Sequence, residues 1–156
     1  MNETYIKTID ENELFKLFKK YVFKYKKPFD ASKDGTLLKC ISFLKNKAKT
    51  LEDIFNNAQY IINDEIKICD EDQKLLDNQS RLIIKDFMSN FEKLSSLNKE
   101  NLEPLIKSLI EKHKTNFKGV GQPLRIGLVG SRFGPGLYDI ILSLNKAEIM
   151  KRLSNV

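Results

Sequence analysis

Cysteine, histidine, glycine and proline are all scarce in this chain of 156 residues, and each shortage narrows what it can be. Cys40 and Cys69 are the two cysteines and lack metal-ligand spacing, so two structural thiols in a reducing compartment are expected, Cys40 buried and Cys69 incidental. The single histidine, His113, falls on the charged side of its helix with no Ser, Cys or Asp at a recognisable catalytic spacing. With seven glycines and four prolines, the chain has few breakers to interrupt helices. No segment alternates apolar and polar residues long enough to demand a sheet. No apolar run approaches the roughly 20 residues of a membrane span, and no signal-peptide pattern opens the chain, so the expectation is a soluble, cytoplasmic protein.

What is present is apolar residue enough for a core, 41%, and charge of both signs, 31%. The 27 Lys and Arg outnumber the 21 Asp and Glu to give a net charge of +6, which raises the prospect of an anionic partner such as nucleic acid. The fold class that follows is all-α, two small helical bundles in series.

Met1–Asp10 reads as a frayed entry. Glu11–Lys27 carries Leu14, Phe15, Phe18, Val22 and Tyr25 at helical spacing, and Pro28 ends it. A second helix spans about Thr36–Lys47, with Leu37, Leu38, Ile41 and Leu44 inward; Lys45, Lys47 and Lys49 crowd its end, where cations suit the helix dipole. Thr50 caps a third helix with Asp53 in capping-box position and Ile54, Phe55, Ala58, Ile61 and Ile62 inward. A polar connection over Asn63–Asp72, pinned by Ile66 and Ile68, leads to a helix at about Glu71–Phe91 that buries Leu75, Leu76, Leu82, Ile83, Phe87 and Phe91. The acidic group Asp70, Glu71 and Asp72 suits a helix start better than a metal. Ser95–Asn98 marks a subdomain boundary, dividing the chain into 1–94 and 95–156. Asn98 caps the helix Lys99–Asn116, Leu97 and Leu102 form a hydrophobic staple, and Pro104 falls near the first turns. Gly119 and Gly121 end that helix, and Pro123 sits in the first turn of the next.

The last forty residues concentrate Arg125, Arg132 and Arg152 with Lys118, Lys146 and Lys151, and they carry Phe117, Phe133 and Tyr138 among them. A guanidinium fork bonds bidentately to phosphate or a base edge, and aromatic rings stack on unpaired bases. The same pattern also suits a solvated basic face over core aromatics. Gly130, Gly134 and Gly136 bare the backbone N–H groups of a turn, and Pro135 can open the following helix, whose N-terminus favours an anion. An ordinary helix–helix corner is the alternative. The turn lacks the Gly-Lys-Ser/Thr ending of a phosphate-cradling NTPase loop.

Two stretches in order carry a family resemblance. Leu44-Lys45-Asn46-Lys47-Ala48-Lys49-Thr50-Leu51-Glu52-Asp53-Ile54, followed by Ala58-Gln59-Tyr60-Ile61-Ile62, is one. Gln122-Pro123-Leu124-Arg125 with Gly134-Pro135-Gly136-Leu137-Tyr138 is the other. Together they resemble the C-terminal anticodon-binding region of bacterial glutamyl-tRNA synthetases, class I glutamate–tRNA ligases. The resemblance implies that 1–94 and 95–156 are two helical anticodon-binding subdomains. It implies anticodon contacts at Lys47, Arg125, Gly134, Pro135, Leu137 and Tyr138. Arg132, Lys118 and Lys146 are then candidates for phosphate contacts. No catalytic residue and no metal ligand is implied.

The family's His-Ile-Gly-His-like and Lys-Met-Ser-Lys-like elements do not occur, so the resemblance implies a C-terminal fragment that is inactive alone. ATP and magnesium are expected for the full-length enzyme and no cofactor for this part. The implied partners are tRNA(Glu) and the catalytic domain of the same polypeptide, with a monomer as the default and no membrane. Three positions depart from the family pattern. Gly134 stands where Ser or Thr is usual, leaving only backbone for a contact. Asn145 replaces a Gly, which Asn tolerates through the left-handed conformation. Lys47 replaces an Arg that separates the glutamate from the glutamine anticodon, and a point charge in place of a planar fork implies relaxed discrimination that extends to tRNA(Gln). A helical protein-interaction module with an incidental basic tail is the reading from a different class.

Overall fold

The computed structural model describes residues 3–46, 48–63 and 65–156, and among them every regular element is helical. The chain divides into two compact units, Met1–Glu65 and Ile66–Val156.

The first unit opens with helix α1 (Glu3–Thr8), where the sequence reads as a frayed entry. Ile6, fully buried, is its anchor to the core. Asp10 caps α2 (Glu11–Tyr25) by accepting from the N–H groups of Asn12 and Glu13. Leu14, Phe18 and Val22 form its inward stripe, while Tyr25, expected inside, is exposed because the helix ends beneath it. A 3-10 turn at Ala31–Lys33 leads into α3 (Asp34–Leu44), which buries Leu37, Cys40, Ile41 and Leu44. The capping box at Thr50 is formed as expected: Asp53 N–H donates to Thr50 Oγ1, and Thr50 N–H donates back to Asp53 Oδ2. The helix it opens divides at Ala58 into α4 (Leu51–Asn57) and α5 (Gln59–Ile62), with Ile54, Tyr60 and Ile61 buried.

The second unit begins with Ile66 and the short α6 (Asp70–Gln73), opened by its three acidic residues. The single helix expected over 71–91 is broken here. Asp77 caps α7 (Asn78–Glu92) by accepting from Ser80 N–H, a start signal masked in the sequence by the apolar pattern running through it. Ile83, Phe87 and Phe91 are buried as expected. Ile84 faces the core, and Leu82 is 56% exposed. Asn98 caps α8 (Lys99–Lys112) as expected, with Pro104 inside it. Lys114, in the left-handed region at φ 52°, ends this helix two residues before Asn116 caps α9 (Phe117–Val129).

Gly119 and Gly121 therefore lie inside α9 and terminate nothing, and Pro123 is in its interior. The missing N–H of Pro123 falls opposite the Gly119 carbonyl one turn back, where no side chain adds to the crowding. α9 is the axis of the unit, packed on α7, α8, α10 (Leu137–Ser143) and α11 (Lys146–Ser154). That is why Val120, Leu124, Ile126 and Leu128 are all fully buried. Asn145, expected in a left-handed turn, is extended at φ −82° and caps α11 by accepting from Glu148 N–H. The two units thus meet at residues 65 and 66, earlier than the break expected after residue 94, because α7 packs on α8 and α9. Among the described residues no helix is long and apolar enough to cross a membrane.

Candidate nucleic-acid interface

Arg125 is the one charged residue in the apolar stretch of α9 from Val120 to Val129. Its half-buried guanidinium reaches the turn that follows the helix, where Nη1 donates to the carbonyl of Arg132 at 3.1 Å. Burial holds the pKa of this group below the usual arginine value, and among the described residues no carboxylate offsets that cost. Its Nε–H is covered and lacks a hydrogen-bond partner.

The turn itself is built on glycine. Gly130 closes α9 at φ 84°, its N–H donating to the Ile126 carbonyl at 2.9 Å, and a Cβ there would stand 2.7 Å from the backbone oxygen of Lys67. Phe133 N–H then donates to Ser131 Oγ at 3.0 Å. Gly134 sits at φ 147°, a conformation that Ser or Thr adopts only under strain, so glycine at this position fits the backbone. Gly136 precedes α10, which begins at Leu137; Pro135, expected to open that helix, is buried in the turn ahead of it.

Between α9 and the turn lies a cleft of about 410 Å³, lined by Phe117, Lys118, Gly121, Gln122 and Arg125 from α9 and by Arg132 and Phe133 from the turn. Phe133 is 71% exposed and Phe117 is also exposed. Phe117 meets Tyr138 with ring centroids 5.9 Å apart, and Lys99 Nζ lies 5.6 Å from the Tyr138 ring. Burial, and then the nearby Glu103, raise the Tyr138 hydroxyl above its usual value, so it stays a neutral donor in the physiological range.

The structure brings some of the expected site residues together at the cleft and gives others partners elsewhere in the chain. Arg125, Lys118 and the backbone of Gly134 adjoin the cleft or its turn, and Lys118 is exposed at the rim. Tyr138 lies behind Phe117. Leu137 is almost fully buried and belongs to the core with Pro135. Arg132 is ion-paired, with Nε 3.4 Å from Asp72 and Nη2 3.7 Å from Glu71. Lys146 Nζ donates to the carbonyls of Glu92 at 2.6 Å and Leu94 at 3.1 Å, closing the end of α7. Arg152 does the same for α9: buried, it donates to the Leu128 carbonyl at 2.7 Å and to Glu148 at 2.8 Å. His113, which has no catalytic partner at a recognisable sequence spacing, lies 2.7 Å from Asp86 on α7. Lys47 lies outside the described residues.

Gln122 is a cleft residue that sequence reasoning did not single out, although it stands one helical turn before Arg125 and therefore shares its face. No local signal could have found Asp72 beside Arg132, sixty residues away.

A family model described as an anticodon binding domain matches residues 13–156. A glutamate–tRNA ligase from Pelagibacter ubique is 55% identical over 155 residues, covering 99% of this chain and 33% of that protein. Glutamate–tRNA ligase 1 of Syntrophus aciditrophicus is 30% identical, over 98% of this chain and 32% of its own length. The chain thus spans about a third of the relatives it matches. Among solved structures, a glutamate tRNA ligase from Elizabethkingia meningosepticum superposes on 99% of the chain, at a TM-score of 0.80 and 21% identity, over 30% of its own length. The matched family model, covering all but the first twelve residues, settles the affiliation: this chain belongs to the anticodon binding domain family.

Proposed function

We propose that this chain binds the anticodon stem-loop of tRNA(Glu) as the anticodon-reading part of a glutamate–tRNA ligase. The observation that carries the reading is Arg125, a half-buried cation with no carboxylate counterpart among the described residues, lining a cleft together with two exposed phenylalanine rings. A desolvated guanidinium gains most from a ligand that brings negative charge or a carbonyl acceptor, and the rings offer faces on which an unpaired base stacks. Exposed Lys118 supplies a phosphate contact, the Gly134 backbone belongs to the turn, and Tyr138 backs the Phe117 ring. Arg132 and Lys146, whose charges are engaged within the chain, contribute less to phosphate binding.

In this reading, activation of glutamate with ATP and magnesium belongs to the two-thirds of the relatives that the chain does not span, and the chain alone does not aminoacylate. The protein works in the cytoplasm as a monomer. Lysine at position 47 supports relaxed discrimination, so tRNA(Gln) is a second ligand.

Titration of the chain with labelled tRNA(Glu), tRNA(Gln) and an unrelated tRNA at two salt concentrations tests the binding and its specificity. The expected result is tight binding of the first two, weak binding of the third, and affinity that falls with salt. Arg125→Ala should cost about 1–3 kcal/mol for tRNA(Glu) and remove most of the preference. Equal binding of all three would sink anticodon reading; a strong preference for tRNA(Glu) over tRNA(Gln) would sink relaxed discrimination alone.

A further inference from the structure

We infer that Asp72 is a positioning residue for the RNA site: acting through Arg132, it holds the turn in the form that presents Arg125 and Phe133. The inference rests on the anticodon-reading proposal above. Asp72 is 4% exposed, an expensive place for a carboxylate, in a helix of only four residues that gains little by it. Its Oδ2 accepts from Cys69 Sγ at 3.3 Å, and its Oδ1 lies 3.4 Å from Arg132 Nε.

From Arg132 the connection divides. Its guanidinium carbon stands 5.0 Å from the centroid of the Phe133 ring, and its carbonyl accepts from Arg125 Nη1 at 3.1 Å. One residue thus touches both features that make the cleft a candidate site. Below the turn, the Lys67 backbone approaches Gly130 so closely that a Cβ would not fit, so the segment from Lys67 to Asp72 supports the turn at two points. Asp72 Oδ1 and Arg132 Nε are within reach of one another but not aligned as a hydrogen bond. The hold is therefore mainly charge attraction between a buried carboxylate and a half-buried guanidinium, which an uncharged isostere loses.

Electrostatics alone predicts the opposite sign for removing this charge. Any carboxylate close to a polyanion site weakens binding, so its neutralisation should tighten RNA generally. Glu71 provides the control: it faces the same guanidinium at 3.7 Å, its side chain is 81% exposed, and Glu71→Gln makes the same change in net charge as Asp72→Asn.

The probes are a fluorescent tRNA(Glu) anticodon stem-loop and a hairpin with the same stem and a scrambled loop. Asp72→Asn is expected to weaken the first about tenfold, within the range for groups coupled through one network, and to leave the second unchanged or tighter. Glu71→Gln should tighten both, by no more than about threefold. If Asp72→Asn tightens both hairpins as Glu71→Gln does, or weakens both equally, the positioning role is overturned. Should Asp72→Asn unfold, Arg132→Gln decides, since it removes the charge that Asp72 attracts and keeps the backbone carbonyl to which Arg125 donates. Loss of loop preference with an unchanged salt slope supports the role, and retained preference overturns it. An unmodified chain that does not distinguish the hairpins counts against anticodon reading itself; a preference that survives Asp72→Asn counts only against Asp72.

Discussion

At Gly130 two independent constraints fall on one residue. Its φ of 84° disfavours any L side chain, and a Cβ would press to 2.7 Å from the Lys67 backbone oxygen, which cannot swing aside as a side chain would. Gly130→Ala should therefore destabilise the second unit by about 1–3 kcal/mol. Gly35, in the first turn of α3, has nothing within 4 Å of its Cβ position, and Gly35→Ala should stabilise by about 0.5–1 kcal/mol through the unfolded chain. Thermal melts of the two variants should move in opposite directions; a Gly130→Ala melt at the unmodified temperature would show that the turn yields easily. Gly130 is legible in the sequence as a turn residue, but its neighbour Lys67 is not, since close approach of distant backbone leaves no local trace. Arg125 is legible from its setting in a helical, family-like motif. Arg152 misleads for a general reason: a cation in a basic tail looks alike whether it faces solvent or closes a helix end.

Helix boundaries follow a similar division. Caps at Thr50 and Asn98 are legible because both ends of the interaction lie within one turn. The error at α7's start comes from extending an apolar pattern through Asp77; Leu82, expected inside, is exposed, and Ile84 takes its place beside Ile83, Phe87 and Phe91. Pairings between helices are not legible at all. Asp86 on α7 receives both Lys112 Nζ at 2.9 Å and His113 Nε2 at 2.7 Å from the end of α8. The hydrogen bond from Lys112, with that from His113 and the two positive charges, holds the Asp86 carboxyl below its usual 3.8 despite partial burial. A carboxylate depressed by folding adds stability that is fully present above 3.8 and is lost as the pH falls through the lower folded value. Asp86→Asn should lower the melting temperature at neutral pH by a few degrees at most, since a partly exposed pair contributes up to about 1 kcal/mol. Against the unmodified chain, that difference should shrink below pH 3.8 and disappear under the folded value. A difference that stays constant from pH 7 to strong acid would mean that the carboxylate charge contributes nothing to joining α7 and α8.

On the scale of the whole molecule, the cleft, its turn and the Asp72 support all fall within Ile66–Val156, which has its own core around α9. The all-α class is legible from composition and period, whereas the place of division is not, because it depends on which helices α7 packs against. A chain of residues 66–156 should then fold cooperatively and keep its preference for the tRNA(Glu) anticodon stem-loop over a scrambled loop. The lysines of the first unit are gone from it, so its salt dependence should be shallower, by about one unit of slope for each phosphate it no longer neutralises. Lys47 is also removed, so preference at the anticodon base assigned to it should disappear while preference at the others survives. Circular dichroism and the hairpin titration together decide the matter. A folded 66–156 chain without any loop preference would place the reading surface, at least in part, among residues 1–65, and the Arg125 cleft would then be insufficient for recognition.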